Sequence, residues 1–133
     1  MGRIAELTRL LAGEAMELPA DLRASYPELA SAKFRRGGIP PRIAGWLLGQ
    51  QSVAAITLWR TIFLAPGTRP TSELLLHELR HVEQFDARKS FPLHYIWQSL
   101  RHGYHHNSYE VDAREFASRR LTESASPRIA KEG

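Results

Sequence analysis

The chain has 133 residues, of which 43% are hydrophobic and 24% charged, proportions that are ordinary for a globular protein and exclude a fibrous or wholly disordered one. It contains no cysteine, which excludes disulfide frameworks, thiol nucleophiles and iron–sulfur clusters and leaves His, Asp and Glu to hold any metal. The net charge of +4 comes from basic residues scattered along the chain, so the sequence favours a solvated basic surface over a nucleic-acid-binding module.

We expect a single domain over residues 1–121, with a helical N-terminal part over 1–50, a core part over 53–121 and a disordered tail over 122–133. No apolar run reaches the roughly 18 residues that a membrane span needs. The charged N-terminus also lacks the apolar stretch of a secretory signal. These features predict a cytoplasmic protein that has no membrane partner.

Three helices and a short strand are predicted in the N-terminal part. Apolar residues recur at helical spacing from Ile4 to Met16, and a shorter helix is expected to begin near Asp21 and to end before Pro27. Loose alternation over Leu29–Phe34 predicts a strand. The segment from Pro41 to Leu48 suits a third helix, opened by a proline and closed by a glycine.

The strongest strand pattern covers Val53 to Leu64, which is rich in β-branched and aromatic residues. Its length suits two short strands that turn near Trp59-Arg60, or one strand with a bulge there. Three helices are expected after it: one capped by Thr71 or Ser72 and running to about Lys89, one from Pro92 to Gly103, and one from Asn107 to about Leu121. The three tryptophans are expected in the core: Trp46, Trp59 and Trp97.

The helix after Thr71 contains the motif HExxH, at His77-Glu78-Leu79-Arg80-His81. Four residues of α-helix return the chain to nearly the same face, so both imidazoles can reach one metal ion. Glu78 lies beside that ion, where its carboxylate can take a proton from a water that the metal holds. In the alternative interpretation both histidines are partly buried helix residues, and Glu78 pairs with Arg80 or another base.

A catalytic zinc site needs a third protein ligand. The longer pattern HExxHxxGxxH is excluded, because Gln84 and Ala87 stand where it requires Gly and His. Glu110, on the last predicted helix, is the candidate. Ala113 and Ala117 share its helix face and are small enough to let that helix approach the motif helix closely.

Two alternatives for the third ligand stay open. His105 or His106 can supply it in place of Glu110. Glu110 also completes the capping-box pattern Asn107-Ser-Tyr-Glu110, in which the glutamate reaches back to the amide of its own N-cap residue. A carboxylate used in that way would not be available to a metal.

HELRH, followed by a glutamate in the setting Asn-x-x-Glu-x-x-Ala, resembles the gluzincin zinc metallopeptidases. The likeness is closest to their smallest members, the minigluzincins, and to related small bacterial HExxH domains of unknown function. Residues 55–67 are similar to the strand pair that those domains place before the motif helix, and the resemblance covers about residues 53–121. It implies three zinc ligands and one catalytic acid/base: His77, His81 and Glu110 as ligands, and Glu78 as acid/base.

The chain departs from that family at one position near the third ligand. Many gluzincins carry an acid four residues after it, which supports a histidine ligand; here the position holds Arg114, and Asp112 is expected on a different face of the helix. No oxyanion stabiliser stands out from the sequence. Four residues are candidates for oxyanion or substrate contacts: Tyr104, His105, His106 and Tyr109.

We therefore expect an α+β, zincin-like fold in which a small, mainly antiparallel sheet packs on the HExxH helix and a second helix carries the third ligand. An edge strand near Ile56 to Leu64 is expected along the cleft, where a peptide or unfolded protein can pair with it. The predicted activity is zinc-dependent hydrolysis of peptide bonds, with Glu78 activating the water and later protonating the leaving amine. The alternative is a non-catalytic zinc-binding scaffold or interaction domain of the same fold.

Overall fold

A computed structural model describes residues 2–41 and 53–125 of the chain. The first part contains two helices, two strands and a 3-10 helix: α1 (Gly2–Ala12), β1 (Glu14–Ala15), α2 (Ala20–Ser25), the 3-10 helix (Pro27–Ser31) and β2 (Lys33–Arg36). The second part contains two strands and three helices: β3 (Ala55–Leu58), β4 (Thr61–Leu64), α3 (Ser72–Ala87), α4 (Phe91–His102) and α5 (Ser108–Ala125). The predicted α+β class is confirmed.

The four strands form one mixed sheet in the order β1-β2-β4-β3. The pairs β1/β2 and β3/β4 are antiparallel, whereas β2 and β4 run parallel. The predicted pair of strands turning at Trp59-Arg60 is confirmed, and Trp59 adopts a left-handed backbone with φ of 54° there. Of the predicted edge strand over Ile56 to Leu64, only β3 lies at an edge, because β2 covers the far side of β4.

The core lies between the sheet and α3. Leucines of α3 pack against fully buried residues of β4, namely Ile62 and Leu64, and each such buried side chain contributes roughly 1.5–3 kcal/mol. Ala113 and Ala117 of α5 are also fully buried. These two small residues let α5 lie close along α3, as the sequence predicts.

Two predicted elements of the N-terminal part end or begin elsewhere. The helix predicted to reach Met16 stops at Ala12, because Gly13 has φ of 69° and a Cβ there would overlap the Arg36 carbonyl. The strand predicted over Leu29–Phe34 begins only at Lys33. The preceding residues close a 3-10 turn, and the ladder starts where the Lys33 amide donates to the Arg60 carbonyl at 2.8 Å.

Other predictions differ at the surface and at the C-terminal end. The last helix continues past Leu121 to Ala125, so residues 122–125 are helical and not part of a disordered tail, while residues 126–133 of the predicted tail lie outside the described residues. Trp59 and Trp97 are more than half exposed, against the prediction of core positions. Trp46, and all of the helix predicted over 41–48 except Pro41, lie outside the described residues. Within the described ranges, every helix is too short or too polar to cross a membrane.

Candidate metal centre

Helix α3 carries the HExxH motif at its middle. The Thr71 hydroxyl caps the helix by accepting a hydrogen bond from the Leu74 amide at 3.2 Å, and the helix continues through the motif without a break. The imidazoles of His77 and His81 lie one turn apart, with ring centroids separated by 5.0 Å. His77, Glu78 and His81 each offer a ligand atom, and these atoms all lie within 4.8 Å of one another. The predicted convergence of the two histidines is confirmed.

The Glu110 carboxylate enters this group from α5. Its Oε2 lies 2.9 Å from His77 Nε2 and its Oε1 lies 2.7 Å from His81 Nε2, and the residue is only 2% exposed. The N-terminus of α5 is capped by Asn107, whose Oδ1 accepts from the Tyr109 amide at 2.9 Å. The capping box would require the Glu110 carboxylate to accept a hydrogen bond from the backbone N–H of Asn107. That backbone N–H donates to the Tyr104 carbonyl instead, so the capping-box alternative for Glu110 is wrong.

The pKa values of this group reflect mutual stabilisation of opposite charges. Burial raises the pKa of the Glu110 carboxyl, but the hydrogen bonds and charges of His77 and His81 outweigh burial and hold this pKa well below its usual range. Burial also lowers the pKa of His81, but the hydrogen bond with Glu110 and the nearby charges of Glu78 and Glu110 raise it to about 9. Glu110 is therefore a carboxylate, the form that can bind a cation.

The Glu78 carboxylate also lies close to the two histidines, but its hydrogen-bond partner is Thr57. The hydroxyl of Thr57, on strand β3, lies 2.8 Å from Glu78 Oε2 and 3.1 Å from the Glu78 carbonyl oxygen. Both side chains are buried, and both line the cavity beside the histidines. The hydrogen bond fixes one oxygen of the Glu78 carboxylate and leaves the other free for chemistry.

Three residues that contact the centre are absent from the sequence predictions. Besides Thr57, they are Gln84, whose Oε1 lies 2.7 Å from His81 Nδ1, and Tyr95, whose hydroxyl donates to Glu110 Oε1 at 3.0 Å. Gln84 lies one turn after His81 on α3, so helical spacing was a signal that could have identified it. Thr57 and Tyr95 come from other elements, and no local pattern marks them.

The four candidates for oxyanion or substrate contacts occupy different surroundings. Tyr104 lines the cavity, and burial, with the negative charges of Glu110 and Glu78, raises the pKa of its hydroxyl, which stays protonated. The Tyr109 ring packs on Phe91 at 4.9 Å between centroids. His105 and His106 are exposed and lie outside the described lining of the cavity.

A cavity of about 340 Å³ opens beside the histidines, between β3 and α4. One end is polar, formed by Glu78, His81 and Glu110. The rest is mainly apolar, with Ile56 and Leu58 on the strand side and Phe91, Ile96 and Leu100 on the helix side. Strand β3 thus combines an open sheet edge with one wall of the cavity.

The donor atoms fit a transition metal. Two imidazole nitrogens and one carboxylate are the ligand types that zinc prefers, whereas calcium and magnesium favour sites built almost wholly of oxygen. Both Nε2 atoms already converge on a single carboxylate. His77, His81 and Glu78 therefore offer ligand atoms close enough together to hold a metal ion.

Comparison with known proteins identifies a family through the motif region. Neither the curated proteins nor the solved structures give a significant match. The family model described as the eCIS core domain matches residues 17–89, which is more than half of the chain. This span includes three of the four strands, β2, β3 and β4, and ends just after α3. It is a small domain in the zincin-like, metallopeptidase-related group. The match covers most of the sheet and the whole HExxH helix, and the chain belongs to the eCIS core domain family.

Proposed function

We propose that this protein is a zinc-dependent metallopeptidase that hydrolyses peptide bonds. In this proposal His77, His81 and Glu110 bind zinc, and Glu78 is the catalytic acid/base. The observation that carries this proposal is that the two buried glutamates contact different partners. Glu110 touches both Nε2 atoms, whereas Glu78 is turned toward Thr57 and the cavity.

Zinc, when bound, polarises the substrate carbonyl and lowers the pKa of the attacking water. Glu78 takes a proton from that water as the water oxygen attacks the carbonyl carbon, and it returns the proton to the nitrogen when the C–N bond breaks. The Thr57 hydroxyl holds the Glu78 carboxylate in one orientation for both transfers. Tyr104, a protonated hydroxyl that lines the cavity, is the proposed donor to a developing oxyanion, since the Tyr95 hydroxyl already donates to Glu110.

The proposed substrate is an extended polypeptide. Among the described strands β3 lies at the edge of the sheet, and we propose that its outer backbone groups pair with a peptide in the manner of an added strand. Its inner neighbour β4 is already paired on both sides, which limits the docking edge to Ala55–Leu58. The apolar part of the adjacent cavity has room for one large hydrophobic side chain of such a substrate.

The proposal is tested by zinc analysis of the purified protein and by cleavage of an unfolded, alkylated polypeptide. We expect about one zinc per chain, and we expect Glu78→Gln to keep zinc while losing turnover, because the amide cannot accept the proton. Glu83→Gln is the matched control, since Glu83 lies on the same helix, is exposed and pairs with Arg80. Zinc retention without any cleavage by the wild type would favour a non-catalytic zinc-binding domain, and a fully active Glu78→Gln protein would contradict the mechanism.

A further inference from the structure

Gln84 bridges the two helices that carry the proposed ligands. Its Oε1 lies 2.7 Å from His81 Nδ1, and its Nε2 lies 2.9 Å from Asp112 Oδ2 and 3.0 Å from the Tyr109 carbonyl oxygen. Arg80 approaches the same Asp112 carboxylate, with its Nε 2.7 Å from Oδ2. The result is a continuous chain of hydrogen bonds from Arg80 through Asp112 and Gln84 to His81.

The direction of this chain follows from which groups can donate. A carboxylate and a backbone carbonyl only accept hydrogen bonds, so the end of the Gln84 amide that faces Asp112 and Tyr109 must be the NH₂ group. The amide oxygen therefore faces His81. Because that oxygen only accepts, His81 Nδ1 must carry a proton, and Nε2 is the ring nitrogen left for a metal.

We infer that Gln84 is a positioning residue, which holds the His81 ring with Nδ1 protonated and Nε2 directed to the metal. Asp112 and the Tyr109 carbonyl together set the direction of the Gln84 amide, and so Asp112 acts on His81 through it. This inference rests on the proposed zinc site. It also accounts for Arg114 at the position where the resembling peptidases carry a supporting acid, since here support comes from Asp112 through an intervening amide.

Partners of this kind, which orient a metal ligand from outside, typically change metal affinity by about 10- to 100-fold when they are removed. Gln84→Met keeps the length of the side chain and removes both hydrogen-bonding ends. Asp112→Asn is nearly isosteric but replaces the carboxylate by a group that can also donate, so the Tyr109 carbonyl is the only strict acceptor that still holds the described Gln84 amide in its direction. A Gln84 side chain that turns over presents NH₂ to His81 and favours the tautomer with the proton on Nε2, where the metal should bind.

The test measures zinc affinity by competition with a chromophoric chelator for the wild type, both single variants and the double variant. We expect Gln84→Met to bind zinc about 10- to 100-fold more weakly, Asp112→Asn to show a smaller loss because the Tyr109 carbonyl still orients Gln84, and the double variant to be no weaker than Gln84→Met alone, because the two residues act in series. Glu83→Gln, which removes the exposed partner of Arg80 and leaves Asp112 paired, should bind zinc like the wild type. Melting curves without zinc show that each variant is folded.

A second measurement reads the protonation of the His81 ring directly. In the zinc-loaded, ¹⁵N-histidine-labelled wild type, His81 should show a protonated Nδ1 and a metal-bound Nε2, and Asp112→Asn should weaken or displace that signature. Additive losses in the double variant, unchanged affinity of Gln84→Met, or coordination through Nδ1 would each overturn the inference while leaving the zinc site standing. Failure of the wild type to bind zinc would overturn the proposed function, and the inference with it.

Discussion

The Glu110 carboxylate has partners on both of its oxygens. Oε2 faces His77, and Oε1 faces both His81 and the Tyr95 hydroxyl, all within 3.0 Å. A buried carboxylate with this many donors cannot be replaced by a neutral group without loss of a charge-assisted contact. The proposed role of Glu110 as a metal ligand can therefore be tested separately from its contribution to the stability of the fold.

Glu110→Gln should lower zinc affinity by more than the roughly 10- to 100-fold typical of changes outside the ligand set, because it removes a proposed ligand. It should also destabilise the zinc-free protein by about 3–5 kcal/mol, since the charge of His81 stays buried without its partner. Calorimetric zinc titration and urea unfolding measure the two effects. Glu115→Gln, an exposed position on the same helix, is the control.

The exposed histidines give the opposite expectation. His105→Ala and His106→Ala should leave zinc affinity nearly unchanged, because both side chains face solvent. A large loss of zinc in His106→Ala with normal binding by Glu110→Gln would transfer the ligand role to the loop.

Thr57→Val should reduce turnover while leaving zinc affinity within about twofold of the wild type. The substitution keeps the shape but removes the only described side-chain donor to Glu78, and a buried group left without its partner costs roughly 1–3 kcal/mol. Steady-state kinetics on a peptide substrate should show the loss in kcat. Thr61→Val is a matched control on the neighbouring strand, since Thr61 lines a different cavity. Equal turnover in Thr57→Val and Thr61→Val would remove Thr57 from the mechanism.

Local spacing made part of this centre predictable. His77, Glu78 and His81 lie within five consecutive positions of one helix, so their relative placement follows from helical geometry alone. Thr57 lies on a strand far from Glu78 in sequence, and its contact depends on how β3 packs on α3. Such a contact is decided by tertiary packing, which carries no short-range signature.

At the scale of elements, the distance between α3 and α5 decides whether Glu110 reaches the histidines. Ala117→Leu should push α5 away, because overpacking a close interface typically costs about 1–3 kcal/mol. Zinc affinity should fall together with the free energy of unfolding, since Glu110 moves with its helix. Ser118→Leu adds the same side chain at an exposed position and should change neither. Normal zinc affinity in a clearly destabilised Ala117→Leu protein would show that the centre tolerates a shift of α5.

Helix α4 shows why an amphipathic pattern can mislead. Its most regular apolar stripe is more than half exposed: Leu93, Ile96, Trp97 and Leu100. Phe91 and Tyr95 instead face the centre, where Tyr95 needs a polar partner and finds Glu110. The pattern predicted the helix correctly, but it did not reveal that Ile96 and Leu100, although more than half exposed, line the cavity.

For the whole molecule, removal of zinc should lower the melting temperature without unfolding the protein. The leucine core between the sheet and α3 does not depend on the centre, and the contacts of Glu110 with both histidines persist by themselves. At a free zinc concentration about 100 times Kd, binding adds about 2.7 kcal/mol, a shift on the order of 10 °C for a chain of this size. Circular dichroism with and without a chelator measures it. His77→Ala should show no zinc-dependent shift, and collapse of the wild type on chelation would contradict an independent core.

The parallel pairing of β2 with β4 bears on how the protein is made. During synthesis β2 is made before β4, and Lys33 to Arg36 pair with Thr61 to Leu64. The backbone hydrogen-bonding groups on that side of β2 therefore stay unpaired until β4 has been synthesised. The two histidines then wait in turn for Glu110, which lies on the last described helix. In the proposed site the third ligand is therefore added only after α3 and α4 have been synthesised, and a chain that stopped before α5 would keep both histidines but lack Glu110.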